Sequence, residues 1–187
     1  MNRELVKKIQ NYVKTESLKK TSKYGSEPYF CHFMPVVKYA KLLQKKYGGD
    51  AEVIEIAGWL HDVGSLVYGR ENHHITSAKI AVELLEKLDY PKEKMELVEK
   101  CILNHRGSVG KKGESIEEQI VAEADAMSNF ENISGIFKAA FVYENLDQIT
   151  AKKAVLQKLQ NKWKQLQFAE SKKLLKPKLD AARILLK

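Results

Sequence analysis

Residues 57–64 read Ala57-Gly58-Trp59-Leu60-His61-Asp62-Val63-Gly64, an apolar run that leads directly into a histidine and an aspartate. Apolar residues occupy most positions around the helix that this run continues, which predicts a central, buried helix. Neighbouring helix side chains point about 100° apart, so His61 and Asp62 can face one ion only where the helix ends. Gly64 favours such an end, and a loop is predicted to lead from it to the next helix near Thr76.

Outward from this segment, apolar residues recur at intervals of three and four, which is the helical period. Alternating patterns typical of strands are absent, so the predicted fold class is all-α. No repeat, and no linker rich in Pro, Gly or Ser, divides the sequence. We therefore expect residues 1–187 to form a single domain, a bundle of about seven to nine helices, in which Pro177 kinks or breaks the last helix.

The composition is that of an ordinary globular protein, with 187 residues, 44% apolar and 30% charged. These values exclude wholesale disorder and a collagen-like chain. The net charge of +8 is unevenly placed, because residues 24–150 are net acidic whereas residues 1–23 and 151–187 are net basic. No apolar run reaches the roughly 18 residues of a membrane span, and the first residues lack the apolar region of a signal peptide. We expect a cytoplasmic protein with no membrane partner.

The sequence contains two cysteines, Cys31 and Cys101, each within an apolar helical pattern. This placement predicts two buried thiols in a reducing compartment and not a disulfide framework. A zinc site built on cysteine is not supported either.

The placement of the five histidines is more informative, because each lies at or near a predicted helix end. Taken singly, a histidine is more often a surface or packed core residue than a ligand, and an aspartate beside an apolar run is often only a helix cap. Asp125, however, lies on an otherwise apolar helix face, and imidazole and carboxylate together suit divalent ions such as Fe, Mn, Ni, Co or Zn. The histidines are His32, His61, His73, His74 and His105.

The order His32, then His61-Asp62, then Asp125 resembles the HD superfamily of metal-dependent phosphohydrolases. The apolar helix that ends in His61-Asp62-Val63-Gly64 matches a motif of that family, as do Ile102-Leu103-Asn104-His105-Arg106 and the segment 120–126 around Asp125. The resemblance covers about residues 30–130. It implies an all-α metal-binding core at 28–130, with residues 1–27 and 131–187 as supporting helices.

The resemblance also implies a ligand set. His32, His61, Asp62 and Asp125 would bind one divalent ion, which is Mn, Fe, Ni, Co or Zn. Members with two ions add two histidines, and here His73 and His105 occupy those positions, with His74 competing for the role of His73. If one ion is bound, His105 and either His73 or His74 would contact substrate phosphate instead.

Many members carry lysine directly after the HD-[IV]-G motif, whereas this chain has Ser65. A phosphate contact must then come from another residue. Arg106 is preferred because a guanidinium binds phosphate with two hydrogen bonds; Arg70 and His74 are further substrate-binding candidates. Lys111 and Lys112 are better explained as a solvated loop. Glu71 is a candidate to protonate the leaving group or orient water beside the catalytic Asp62, although an inert loop carboxylate explains Glu71 equally well.

We therefore expect a metal-dependent phosphohydrolase, that is a phosphatase, phosphodiesterase or pyrophosphohydrolase. Its substrate would be a small phosphorylated compound, for which the family favours a nucleotide, attacked by a metal-activated water. One alternative is an HD fold that senses a nucleotide or metal without turnover. Another is a nucleic-acid-binding module formed by the basic tail, but its lysines alternate with apolar residues at helical spacing, which is typical of a solvated helix face. The oligomeric state stays open.

Overall fold

The computed structural model describes residues 1–106 and 113–187, and every regular element within these two ranges is a helix. The all-α prediction is confirmed. The chain divides into two compact units, Met1–Asp125 and Ala126–Lys187. The expectation of one domain with supporting helices at both ends stays a prediction. Within the described residues, no helix combines the length and the apolar character needed to cross a membrane.

The first unit is built around one central helix, as the apolar pattern predicts. This helix, α3, is buried from Glu52 to Leu60 and packs against α1, α2, α5 and α6. A π-helical turn at Tyr29–Phe33 leads directly into α2. The helices are α1 (Arg3–Leu18), α2 (Met34–Tyr47), α3 (Ala51–Leu60), α4 (Val63–Tyr68), α5 (His73–Glu86), α6 (Lys92–Asn104) and α7 (Ile116–Ser128), of which α7 extends into the second unit.

The start of α7 is fixed by a reciprocal pair of hydrogen bonds. The Ser115 hydroxyl accepts from the Glu118 amide at 3.2 Å, and the Glu118 carboxylate accepts from the Ser115 amide at 3.1 Å. This is the capping box that the Ser115 and Glu118 spacing predicts. The second Glu118 oxygen accepts from the Asn104 side chain at 2.6 Å. The helix that ends beside His105 is thereby joined to the helix that carries Asp125.

The N-terminus of α3 is held by Asp50. One Asp50 oxygen accepts from the amides of Glu52 and Val53 at 2.9 and 3.2 Å, and the other lies 2.8 Å from the Lys94 ammonium. Burial works against ionisation of Asp50, but the Lys94 ammonium and the two amides outweigh it and lower the pKa of the carboxyl. Asp50 therefore fixes the central helix by a cap and an ion pair together.

We expect D50A to reduce the free energy of unfolding at neutral pH by about 1 kcal/mol, the usual cost of losing such a cap. Because the folded state lowers the pKa of Asp50, this stabilisation is present above the ordinary carboxyl pKa and is lost as the pH falls through the lowered value. D50N should keep most of the cap and lose the pH dependence. Urea unfolding at several pH values measures both effects. D180A, on an exposed face, is the control, and an equal loss there would contradict the prediction.

The second unit contains three helices and a further π-helical turn within residues 126–187. They are α8 (Ile133–Lys138), the turn Ala139–Tyr143, α9 (Gln148–Gln165) and α10 (Ala169–Leu185). Val155 and Leu159 on α9 and Leu179 on α10 are buried. Pro177 lies inside α10, so the expectation that it breaks this helix is wrong. Because proline has no N–H, Pro177 leaves the carbonyl oxygen of Lys173, four residues earlier, without its helical hydrogen bond. Lys173 is on the exposed side of the helix, where water can bind this oxygen.

The two thiols differ in their surroundings. Cys101 on α6 is buried as predicted, but Cys31 is exposed, so the expectation of two buried thiols is wrong for Cys31. Cys31 lies on the outer side of the π-helical turn whose Tyr29 and Phe33 face the core. A π-helical turn contains more residues than an α-helical turn, so the spacing of its buried positions differs from 3.6 residues. A prediction that assumes the α-helical period therefore places Cys31 on the buried face.

Candidate metal centre

His61 lies at the C-terminal end of α3, with its imidazole fully buried. Its Nδ1 is 2.9 Å from the Gly58 carbonyl oxygen. A carbonyl can only accept, so Nδ1 carries the proton and Nε2 presents a lone pair. Burial lowers the pKa of His61 to about 4. At neutral pH this side chain is therefore a neutral imidazole with Nε2 available as a ligand.

Asp62 leaves the helix, with φ −118° and ψ 11°, and directly precedes α4. Its two carboxylate oxygens face different histidines. Oδ2 lies 3.3 Å from His32 Nε2 and 3.9 Å from His61 Nε2. Oδ1 lies 3.1 Å from His73 Nε2 and 3.3 Å from His105 Nε2. One carboxylate thus lies between two pairs of imidazoles.

His73 and His105 are oriented in the same way as His61. The Nδ1 atom of His73 lies 2.8 Å from the Arg70 carbonyl oxygen, and that of His105 lies 2.6 Å from the Ile102 carbonyl oxygen. In all three cases the carbonyl belongs to the third residue before the histidine. The main chain therefore fixes the tautomer, and each Nε2 is left facing the Asp62 carboxylate.

The expected loop between Gly64 and Thr76 is wrong in its boundaries. Gly64 lies inside the short helix α4, and α5 begins at His73. An added Cβ on Gly64 would lie 2.2 Å from Thr76 Oγ1, so glycine serves close packing of α4 on α5 here and does not end a helix. The earlier start of α5 places His73 in its first turn, directly after Asn72 in a left-handed conformation with φ 48°.

His32 and Asp125 complete the cluster from two other elements. His32 lies on the π-helical turn, and its Nε2 is 3.0 Å from His61 Nε2. Asp125 lies on α7, is 6% exposed, and has Oδ1 at 3.7 Å from His32 Nε2 and 4.0 Å from His61 Nε2. The four residues that the sequence analysis assigns to one ion are therefore brought together.

The charge distribution of the cluster favours a cation. Burial opposes ionisation of Asp62, yet its pKa lies well below the usual value because the imidazoles of His61, His105, His32 and His73 surround it. Burial also works to lower the pKa of His73, but contact with Asp62 outweighs it and raises that pKa. A half-buried carboxylate and several inward-facing ring nitrogens therefore share a space in which a positive charge is stabilised.

The donor atoms fit a divalent metal ion. Two groups have ligand atoms that all lie within 4.8 Å of one another, His32, His61 and Asp62 in one, and Asp62, His73 and His105 in the other. Asp62 Oδ1 is buried and has no hydrogen bond, although two ring nitrogens lie within 3.3 Å of it. Imidazole and carboxylate ligands are those that Mn, Fe, Co, Ni and Zn accept. The geometry offers two such positions, which share Asp62.

His74 and Arg106 meet at the edge of this cluster. The Arg106 Nη1 and His74 Nδ1 atoms are 3.5 Å apart, and both side chains are half-buried. Burial and then the Arg106 charge lower the pKa of His74. His74 is thus turned toward Arg106, whereas its neighbour His73 faces Asp62, and the two adjacent histidines have different partners.

Three further residues considered in the sequence analysis lie on α4 and on the turn that follows it. Arg70 and Glu71 are exposed on the turn before α5, and the main-chain carbonyl of Arg70 is the part that holds His73. Ser65, where the family pattern has lysine, donates its hydroxyl to the Asp62 carbonyl oxygen at 2.7 Å. Lys111 and Lys112 lie outside the described residues. The roles of Arg70 and Glu71 stay predictions.

Comparison with known proteins agrees with this geometry. The sequence model of the HD domain family matches residues 29–129, more than half of the chain. The chain belongs to the HD domain family. The matched range contains all five histidines, Asp62 and Asp125. At the level of the superfamily, HD membership supports a metal-dependent hydrolase.

Two solved structures are similar in fold to this chain. The Lin1889 protein from Listeria innocua has a TM-score of 0.74 and 21% identity, and the match covers 100% of this chain and 94% of that protein. An HD-superfamily hydrolase from Bacillus thuringiensis has a TM-score of 0.73 and 20% identity, with 100% and 95% covered. At these identities the likeness establishes the fold.

Proposed function

We propose that this chain is a metal-dependent phosphohydrolase that acts on a small phosphorylated substrate of the nucleotide class. The observation that carries the proposal is the position of Asp62, whose two oxygens lie within 3.3 Å of imidazole nitrogens from two different donor groups. A carboxylate in this position can bind two cations at once. Such paired sites occur in enzymes that transfer or hydrolyse phosphoryl groups.

The residues divide into two ligand groups. His32, His61, Asp62 and Asp125 would hold one divalent ion, and Asp62, His73 and His105 would hold the second. Divalent ions bound there would lower the pKa of water and polarise a phosphoryl oxygen. The main-chain carbonyls behind His61, His73 and His105 keep the Nε2 atoms directed inward before any ion binds, so little reorientation is needed.

The pair His74 and Arg106 supplies the proposed phosphate contact. Arg106 follows His105 directly, so its guanidinium lies beside the second ligand group. A guanidinium presents a fork of N–H donors that matches two phosphate oxygens. His74, whose pKa is lowered, stays neutral there and can donate one hydrogen bond without adding a second charge.

The direct test uses the purified wild-type chain. The protein is stripped with a chelator, reconstituted separately with Mn, Fe, Co, Ni or Zn, and incubated with nucleoside mono-, di- and triphosphates and a phosphodiester. Release of phosphate, pyrophosphate or a nucleoside monophosphate with at least one metal is expected. Metal binding without any product would contradict hydrolysis and favour a sensor that binds nucleotide without turnover.

We expect R106A to lower kcat/KM by roughly 10- to 100-fold, because a hydrogen bond to a charged group contributes about 1.5–3 kcal/mol. The loss should appear mainly in KM if Arg106 binds the ground-state phosphate as well as the transition state. R106K keeps the positive charge but loses the paired N–H donors of the guanidinium, so it should recover part of the kcat/KM that R106A loses. R183A removes an exposed arginine of α10 and is the matched control. Unchanged kinetics in R106A would exclude this phosphate contact.

A further inference from the structure

Within residues 1–106 and 113–187, three aspartates occupy the N-cap position of a helix, and two of them act as ordinary caps. Asp50 accepts from the amides of the second and third residues of α3, Glu52 and Val53, at 2.9 and 3.2 Å. Asp147 does the same for Ile149 and Thr150 of α9 at 2.8 and 3.0 Å. Asp62 stands at the same position before α4, but its side chain makes no capping hydrogen bond.

The amide that Asp62 would cap is bound by a serine of another helix. Gly64 is the second residue of α4, and its N–H donates to the Ser77 hydroxyl of α5 at 2.9 Å in a buried position. Ser77 has no exposed surface. The third amide of α4, that of Ser65, donates to the Asp62 main-chain carbonyl at 2.9 Å. The second and third amides of α4 are therefore satisfied without the Asp62 carboxylate.

The contact between Gly64 and Ser77 requires that residue 64 have no side chain. A Cβ atom there would lie 2.6 Å from the Ser77 amide nitrogen and 2.9 Å from the Thr76 carbonyl carbon. Glycine thus brings the start of α4 against the first turns of α5, close enough for the hydroxyl to reach the amide. The same approach places Asp62 Oδ1 3.1 Å from His73 Nε2, four residues before Ser77.

We propose that Ser77 is a positioning residue that takes over the capping of α4 from Asp62 and so leaves both Asp62 oxygens to the metal ligand groups. This inference rests on the proposed function, since it concerns the ions that Asp62 would share. An aspartate at an N-cap and an unsatisfied amide two residues later attract each other. Ser77 occupies that amide, and the carboxylate stays directed at His73 and His105.

The test is S77A, studied by its metal binding. Without the hydroxyl, the Gly64 amide loses its partner, and the Asp62 carboxylate, as the N-cap side chain two residues before it, can take its place. We expect the dissociation constant for Mn²⁺, measured by titration calorimetry, to rise by roughly 10- to 100-fold, the usual cost of losing a residue that orients a ligand. The wild type loaded with two Mn²⁺ ions should show magnetic coupling by electron paramagnetic resonance, and in S77A this coupling should weaken or disappear.

S17A is the matched control, because Ser17 is also a buried helical serine, and its hydroxyl donates a hydrogen bond to the Lys14 carbonyl oxygen at 2.7 Å. Loss of stability alone would appear in both variants, whereas loss of metal is expected only in S77A. Wild-type metal affinity and coupling in S77A would overturn the inference and leave the proposed function intact. If the wild type itself bound no metal ion, the proposed function and the role of Ser77 would both be contradicted.

A second measurement does not depend on a variant that folds. In the wild-type chain without metal, the Gly64 amide should exchange slowly with solvent, because its partner is Ser77 and not a group held by an ion. Exchange that becomes fast when metal is removed would show that the cap depends on the ion. That result would overturn the assigned role of Ser77.

Discussion

D62A is expected to abolish phosphohydrolysis and to remove both metal ions. Asp62 provides an oxygen to each ligand group, so its loss leaves only His32, His61 and Asp125 on one side and His73 and His105 on the other. The fall in kcat should exceed the roughly 10- to 100-fold that the loss of an orienting partner costs. Metal analysis of the purified protein and phosphate release measure the two effects.

D62N and D147A complete this experiment. Asparagine keeps the shape of Asp62 but removes the charge that two cations would share, so D62N should also lose metal. D147A removes an exposed N-cap aspartate from α9 and loses a cap without touching the ligand groups. It should retain activity. Metal content and turnover in D62A equal to those of D147A would rule out the shared-carboxylate site.

H73A is expected to reduce the bound Mn²⁺ from two ions to one, while H74A keeps two. His73 Nε2 lies 3.1 Å from Asp62 Oδ1 and belongs to the second ligand group, whereas His74 is turned toward Arg106. The first group, with His32, His61, Asp62 and Asp125, does not include His73. Turnover should fall strongly in H73A if both ions take part, and KM should rise in H74A.

The two adjacent histidines form a matched pair, because both lie in the first turn of α5 and both variants shorten the same side chain. Calorimetric stoichiometry and the coupled spectrum of an Mn²⁺ pair distinguish them. Two bound ions in H73A together with one in H74A would show that His74, and not His73, is the ligand of the second ion. One ion in the wild type would instead favour the mononuclear arrangement, with His73 and His105 directed at substrate.

The candidate ligand set is predicted by the resemblance to the HD superfamily; the apolar pattern itself shows only that the histidines lie near helix ends and that Asp125 lies on an otherwise apolar helix face. Metal binding by these residues stays a prediction. Polar groups at such positions are costly unless they have partners. The sharing of Asp62 between two groups could not be predicted, since it depends on the distance between α4 and α5. The choice between His73 and His74 depends in the same way on where α5 begins.

Gly64 shows why α4 and the early start of α5 could not be predicted, although the end of α3 beside His61 agrees with the prediction. Local rules read glycine after an apolar run as a helix end, but here the missing side chain allows α5 to approach. The sequence alone does not distinguish these two uses of glycine. No role could be predicted for Ser77, which follows Thr76 in the segment 73–78, because the sequence does not show which amide a helical serine binds.

Three of the imidazoles are oriented by main-chain carbonyl groups, which do not depend on the identity of the side chain at that position. In each case the Nδ1–H group donates to a main-chain carbonyl oxygen, which belongs to Gly58, Arg70 or Ile102. Every amino acid supplies that oxygen, so substitution at these three positions leaves the acceptor in place as long as the helix end persists. The orientation of the ligands thus depends on backbone shape, and the side chains at these positions affect it only through their packing.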